Sequence, residues 1–225
     1  MDYHELYETH VELYHDLVSA EDYQENLKKA LNELLSDKKK AGLEMGVGTG
    51  RVTKLIAPWC DQLVAYDLHQ SMLDKIDKST LLPCLVDLKV ANHMSLPQFD
   101  RKFDFVVAGW TLCHIIDDHP NNWKGKLDAV LAKIDKNTKA GSKVIIIETL
   151  GTGFTNENAP KHLSNYYSYL QERGFSKRVI RTDYCFESIE QAKQLVSFFF
   201  GDEMLSKIEK GTLLTLPECT GIWSK

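Results

Sequence analysis

Three glycines alternate at Gly46, Gly48 and Gly50, directly after the short apolar run Gly42-Leu43-Glu44-Met45. Alternate glycines in a strand-to-helix turn permit positive φ and remove the Cβ atoms that would hold a ligand off the main chain. The helix that must follow is marked by Val52, Leu55 and Ile56 at helical spacing. A second strand-like run, Gln62 to Tyr66, ends at Asp67. An acid at that place in an open α/β sheet is set to accept hydrogen bonds from both hydroxyls of a ribose, and its charge strengthens both bonds. Further on, His114, Asp117, Asp118, His119 and Asn121 crowd one stretch. They are metal-ligand types, but Pro120 suits the first turn of a helix with Asp118 or His119 before it. We therefore expect a helix entry and no metal site. His114 alone would serve as a general base, because imidazole titrates near neutrality.

The glycine spacing separates nucleotide loops from one another. G-x-G-x-x-G fails from Gly46, whose sixth position is Arg51, and from Gly48, whose sixth position is Thr53. A P-loop needs Gly-Lys-Ser/Thr, and Gly50 is followed by Arg51. The pattern Glu44-x-Gly46-x-Gly48-x-Gly50 resembles motif I of the class I S-adenosylmethionine-dependent methyltransferases, and Gly-Thr-Gly-Arg-Val-Thr continues it as in many members. Ser71-Met72-Leu73-Asp74-Lys75 resembles the family's segment after the ribose-binding acid. Asn92-His93-Met94-Ser95-Leu96-Pro97 is similar to its D-A-x-x-L-P segment, with Asn92 in the Asp position. An amide oxygen still accepts a hydrogen bond there, without charge assistance. Phe103-Asp104-Phe105-Val106 resembles the family's F-D-x-V strand. Where amino-methyltransferases of bases and protein amides carry Asn-Pro-Pro-Tyr, this chain reads Ala108-Gly109-Trp110-Thr111, which argues against those acceptors.

The resemblance covers residues 40 to 225, with its specific motifs between 44 and 110. It implies a three-layer, doubly wound, Rossmann-like fold with a seven-stranded sheet of order 3-2-1-4-5-7-6. It implies S-adenosyl-L-methionine as methyl donor and S-adenosyl-L-homocysteine as product. Gly46, Gly48 and Gly50 would admit the methionine end, and Glu44 would help hold its ammonium group. Asp67 would bind ribose, Met72 pack on adenine, and Asn92 read the adenine amino group. Gly109 and Trp110 would lie beside the methionyl part. The rival readings are a binding module without turnover and a nicotinamide-dependent oxidoreductase, the latter disfavoured by the glycine spacing.

Stepping along the chain, Tyr3, Leu6, Tyr7, His10, Leu13, Tyr14 and Leu17 fall on one stripe of a helix over residues 3 to 18. A second helix is expected from Glu21 to Ser36, with Tyr23, Leu27, Leu31, Leu34 and Leu35 inward. The domain division is then 1–38 for N-terminal cap helices and 39–225 for the cofactor-binding domain. Tyrosine hydroxyls want partners when buried, so residues 1 to 18 are expected to close over substrate. Deleting them should leave the core folded, since strands one to seven lie beyond residue 40. Tyr7, Tyr14 and His114 are the substrate-side residues, with Tyr14 and His114 the catalytic candidates. Downstream we expect a helix from Ser71 to Lys78 and a third strand from Val86 to Ala91. Strand five should run Lys143 to Thr149, strand six Arg178 to Phe186, and strand seven Cys219 to Trp223.

Composition narrows the partners. Formal net charge is −5, so no global basic field favours nucleic acid. Lys38-Lys39-Lys40 is read as a solvated helix end. No apolar run reaches membrane-spanning length, and the N-terminus is not a signal peptide. The five cysteines are odd in number and lack C-x-x-C, which fits reduced thiols in the cytoplasm and no zinc site. The expectation is a cytoplasmic monomer or homodimer acting on a small molecule, without nucleic-acid or membrane partners.

Overall fold

The computed structural model describes residues 3–36 and 41–225. The boundary at 38, the lysine run and the Tyr3 side chain lie outside what it describes. Two N-terminal helices come first, α1 (Tyr3–Thr9) and α2 (Val11–Ala20), followed by α3 (Asn26–Leu34). The alternating portion runs β1 (Ala41–Met45), α4 (Arg51–Ile56), β2 (Gln62–Asp67), α5 (Gln70–Leu73), β3 (Leu85–Val90) and β4 (Phe103–Gly109). It continues with α6 (His114–Asp118), α7 (Trp123–Asn137), β5 (Thr138–Thr152), α8 (Ser164–Glu172) and β6 (Ser176–Arg181). The chain then adds β7 (Tyr184–Phe186), α9 (Ile189–Phe200), β8 (Glu209–Lys210), β9 (Leu214–Leu216) and β10 (Glu218–Ser224).

The main sheet has seven strands in the order β3-β2-β1-β4-β5-β10-β6. With β10 as its seventh strand, this is the expected 3-2-1-4-5-7-6 arrangement. β1 to β5 are parallel, and β10 is antiparallel to both β5 and β6. The doubly apolar runs sit centrally because both faces are covered: Val106, Val107 and Ile145 to Ile147 are fully buried. One face packs under α6, α7 and α8 around Phe103, Val106 and Tyr166. The other packs under α3 and α4 around Leu27, Phe105 and Val107.

Several boundaries move, each for a local reason. The stripe over residues 3 to 18 is two helices, because His10 leaves helical geometry (φ −119, ψ 39) and lays its ring against Phe198. The helix expected from Glu21 begins at Asn26. Asp22 takes positive φ and its carboxylate accepts from the N–H of Asn26 (2.8 Å) and Leu27 (3.0 Å). Tyr23, expected inward, is 40 % exposed in that turn. The helix from Ser71 stops at Leu73, and Asp77 instead caps a short 3-10 turn by accepting from Ser79 N–H at 2.9 Å. Pro120 starts no helix: α6 closes at Asp118 and α7 opens at Trp123. β3 spans Leu85–Val90, and β5 reaches from Thr138 to Thr152 because β10 pairs along its far end.

The largest departure lies at strand six, which does not continue to Phe186. It ends at Arg181. Thr182 then turns inward to bond Glu21 (2.9 Å) and Thr220 (2.6 Å). The following β7 joins β9 and β8 in a separate three-stranded sheet. This small sheet, α9 and α2 enclose a third apolar cluster, in which Leu17 is 5 % exposed beside Tyr184, Leu195 and Leu216. The helix that carries Tyr14 is therefore packed against residues far along the chain. Deleting residues 1 to 18 would strip Leu17 from that cluster, while the two clusters that cover the main sheet contain no residue before Leu27.

Candidate active site

The ends of β1, β2 and β4 open into one crevice. The glycine loop forms its floor. Gly46, Gly48 and Gly50 all have positive φ, at +71, +55 and +89. A Cβ on Gly46 would meet Thr111 at 2.4 Å, and one on Gly48 would meet the Tyr14 hydroxyl at 3.2 Å. Gly50 faces Ile76 and precedes α4, away from the crevice wall. The bare main chain the motif promised is thus realised at Gly46 and Gly48.

Asp67 closes β2 beside this floor. Its Oδ2 accepts from Gly48 N–H at 2.8 Å and its Oδ1 from His69 N–H at 3.0 Å. The His69 ring stands 3.6 Å from the same carboxylate. Burial pushes the Asp67 carboxyl up, but the bonds from His69 and Gly48 outweigh it and hold the acid below its ordinary value. An ionised carboxylate offers about four lone-pair positions. Those hydrogen bonds leave room for a vicinal diol. Met72, buried under α5, and Asn92 border the same end. Asn92 Oδ1 also accepts from Met94 N–H at 2.7 Å, so it works as a turn cap as well as a wall residue.

Glu44 lies elsewhere. It is 1 % exposed, does not line the crevice, and neither carboxylate oxygen has a hydrogen-bond partner. Thr53 faces it across the interior under α4 without reaching hydrogen-bonding geometry. Burial, opposed by Thr53 and aided by Asp67, pushes its carboxyl up to about 8. A raised carboxylate binds a proton in the folded state that the unfolded chain has released. Stability contributed by the neutral form is present at low pH and lost as pH rises from the ordinary value of 4.5 to about 8. Glu44→Gln should flatten that dependence. The melting-temperature gain of the variant over wild type should grow between about pH 5 and about pH 9. A constant gap across that range would show that Glu44 is ionised throughout.

Above the floor, Tyr7 and Tyr14 come down from the N-terminal helices. Their rings meet edge to face at 5.2 Å, and Tyr7 lies 6.0 Å from the rings of both His69 and His114. Tyr7 is held by α1, whose contact with α5 includes Ser71 Oγ donating to the Tyr7 carbonyl at 3.3 Å. Burial, eased by Arg51 and reinforced by Asp67, pushes the Tyr14 phenol up to about 12. Tyr14 therefore stays protonated at neutral pH and acts as a donor. His114 opens α6, and the turn before it is anchored by Glu148, whose Oε1 accepts from Cys113 N–H (3.1 Å) and the Tyr166 hydroxyl (2.9 Å). Gly109 and Trp110 complete the wall. Trp110 sits at φ +48, donates its N–H to Ile147, and carries the Arg51 guanidinium 3.9 Å over its ring. Arg51 is itself ion-paired with Glu21.

Sequence reasoning did not single out three wall residues. His69 backs Asp67, and an acid-x-His signal at the strand end would have marked it. His93 lines the crevice; burial, joined by His114 and opposed by Asp118, lowers it to about 4, so it stays neutral. Tyr66 precedes Asp67 inside an apolar run, and its buried hydroxyl has no protein partner. Nothing in that run distinguishes it from a core tyrosine.

Among the described residues, no three metal-ligating side chains converge. Asp117 points toward His162 (4.0 Å), while His114 and Asp118 line the crevice. Methyl transfer should persist at full rate in EDTA. Abolition by EDTA with recovery on adding magnesium would make Asp117 and Asp118 ligands.

Comparison with known proteins bears on the same segment. A family model described as a methyltransferase domain matches residues 43–146. An uncharacterized methyltransferase of Staphylococcus carnosus (strain TM300) is 26 % identical over 172 residues, 76 % of this chain and 75 % of the relative. A demethylmenaquinone methyltransferase of Lactobacillus johnsonii is 34 % identical over 122 residues, 50 % of this chain and 46 % of the relative. The N-methyltransferase NodS from Bradyrhizobium japonicum shares the fold, with a TM-score of 0.52 at 14 % identity over 88 % of this chain and 95 % of that one. Family match, sheet order and glycine loop agree: residues 43–146 carry a methyltransferase domain, and the chain resembles the class I S-adenosylmethionine-dependent methyltransferases.

Proposed function

We propose that the enzyme methylates a small molecule held between the glycine loop and the Tyr7–Tyr14 roof. The observation that carries this reading is the position of Asp67. It lies bonded to Gly48 on the floor of a crevice that Tyr7, Tyr14 and His114 also line. S-Adenosylmethionine would lie along that floor, with ribose on Asp67, adenine between Met72 and Asn92, and the methionyl part over Gly46 and Gly48 beside Gly109 and Trp110. Bound there, it supplies a methyl group on an already activated sulfonium. The protein's task is then alignment and exclusion of water, worth roughly 7–11 kcal/mol in favourable cases. Tyr7 screens the crevice from solvent, and the protonated Tyr14 donates a hydrogen bond. Glu44 supports the loop from beneath rather than by direct contact.

His114 is placed to take a proton where the acceptor arrives protonated, while the neutral His93 beside it offers a hydrogen-bonding wall. A roofed crevice suits a small acceptor better than a duplex or a folded protein. The name of the Lactobacillus relative, a methyltransferase of demethylmenaquinone, is in keeping with this. No helix among the described residues is long and apolar enough to cross a membrane. All five cysteines are free thiols, which fits a cytoplasmic setting. Incubation with methyl-labelled S-adenosylmethionine and fractionated metabolite extracts should place label in a low-mass product. Label appearing only in nucleic acid or protein fractions would overturn the small-molecule reading.

A further inference from the structure

β3 is the outermost strand on its side of the sheet, and no strand among the described residues pairs with its free edge. Its neighbourhood is unusually apolar for an edge: Leu82 is 67 % exposed, Leu85 64 % and Val90 52 %. Exposed apolar edge strands are templates for pairing with another chain. The direction of the backbone groups limits how such pairing can occur. Leu85 N–H donates to Asp61 and Ala91 N–H to Asp67, both on the β2 side. In a parallel pair the inward-bonding residues alternate, so Leu85, Asp87 and Lys89 bond inward. Val86, Leu88 and Val90 therefore turn their N–H and C=O groups outward.

We propose that two copies of this chain pair through their β3 strands, antiparallel about a two-fold axis at Leu88. In that register Leu88 meets Leu88, and Val86 meets Val90 of the second copy, each pair exchanging two backbone hydrogen bonds. Between them Asp87 faces Lys89 and Leu85 faces Ala91, in the close non-hydrogen-bonded positions where side chains interact most. Every apolar residue meets an apolar one, and each charge meets its opposite. Centring the axis on Asp87 would oppose two carboxylates, and centring it on Lys89 two ammonium groups. Within one chain Lys89 already reaches Asp87 at 3.0 Å, so the charges are held at the height the cross-strand pairs require. A two-fold contact of this kind is self-limiting and joins two seven-stranded sheets into one. Ala91, opposite the second copy's Leu85, lines the crevice, so the contact braces the adenine end of the site.

The test is the oligomeric state of the full chain by sedimentation over micromolar to submillimolar concentration. Wild type should show twice the 25.7 kDa chain mass. Leu88→Pro removes an outward N–H, a position that edge strands tolerate, together with part of the Leu88 packing on the core, and should give a monomer. Asp87→Lys sets like charges opposite each other at two places and should weaken association by at least about tenfold. Asp87→Lys combined with Lys89→Asp should restore it. Retention of the thermal shift with S-adenosylhomocysteine shows which variants are folded. If Leu88→Pro fails to fold, the charge swap and its rescue decide alone. A wild type that stays monomeric throughout overturns the proposal, as does a dimer indifferent to these substitutions.

Discussion

Asp67→Ala should lose most of the thermal stabilisation that S-adenosylhomocysteine gives the wild type. At about 100 times its dissociation constant a ligand adds about 2.7 kcal/mol, and a chain of this size gains about 2–4 °C per kcal/mol. The wild-type shift should thus be about 5–10 °C. Asp67 supplies a charged acceptor to the ribose hydroxyls, and bonds to charged groups are worth about 1.5–3 kcal/mol each. The same carboxylate holds Gly48 N–H at 2.8 Å, so its loss also loosens the loop over which the methionyl part would lie. Affinity should fall by about 100-fold or more. Asp67→Asn keeps one acceptor oxygen and should fall between the two. NAD and NADP should shift none of the three proteins. Equal shifts in wild type and Asp67→Ala would remove Asp67 from the site.

Removing residues 1 to 9 should cost methyl transfer far more than cofactor affinity. These residues carry Tyr7, which meets Tyr14, His69 and His114 in the crevice. They leave α2 and Leu17 in place, so the third apolar cluster stays closed. Opening the roof admits water and frees the acceptor, and misplacement of about 1 Å can cost about 100-fold in rate. Single-turnover transfer should drop by that order while the S-adenosylhomocysteine shift is nearly unchanged. Tyr14→Phe, which removes one donor and little volume, should show the same bias more mildly. Wild-type transfer by the truncated protein would make α1 a packing element only. The substrate wall would then be sought among residues 151 to 170.

The parallel half of the fold was legible because its strands are apolar on both faces and its turn demands glycine. Val106-Val107 and Val144 to Ile147 admit few other readings once flanked by Gly109 and Gly141. Asp67 was legible for the same reason: an acid at a buried strand end requires donors, and it has them. The second half was less so. Arg178 to Phe186 reads as one strand, and only tertiary partners break it. Thr182 is drawn to Glu21 and Thr220, and Asp183 accepts from Arg181 (2.8 Å) and Glu218 N–H (2.9 Å). Those partners are distant in sequence, so no local pattern records them. Glu44 sat in the expected motif position yet turns under α4, because strand alternation puts it on the opposite face from Met45.

The burial of Leu17 among residues 184 to 216 sets an order of events during synthesis. α2 leaves the ribosome well before the surface that receives it, residues 184 to 216. At about 5–20 residues per second, tens of seconds pass before β7, α9 and β9 emerge. Through that interval β1 to β5 can assemble while Leu13 and Leu17 remain uncovered, a target for chaperones that hold amphipathic helices. The seat of the helix that carries Tyr14 is therefore complete only after residues 184 to 216 have been made. A nascent chain arrested before β7 should fold its cofactor-binding half yet be unable to transfer a methyl group.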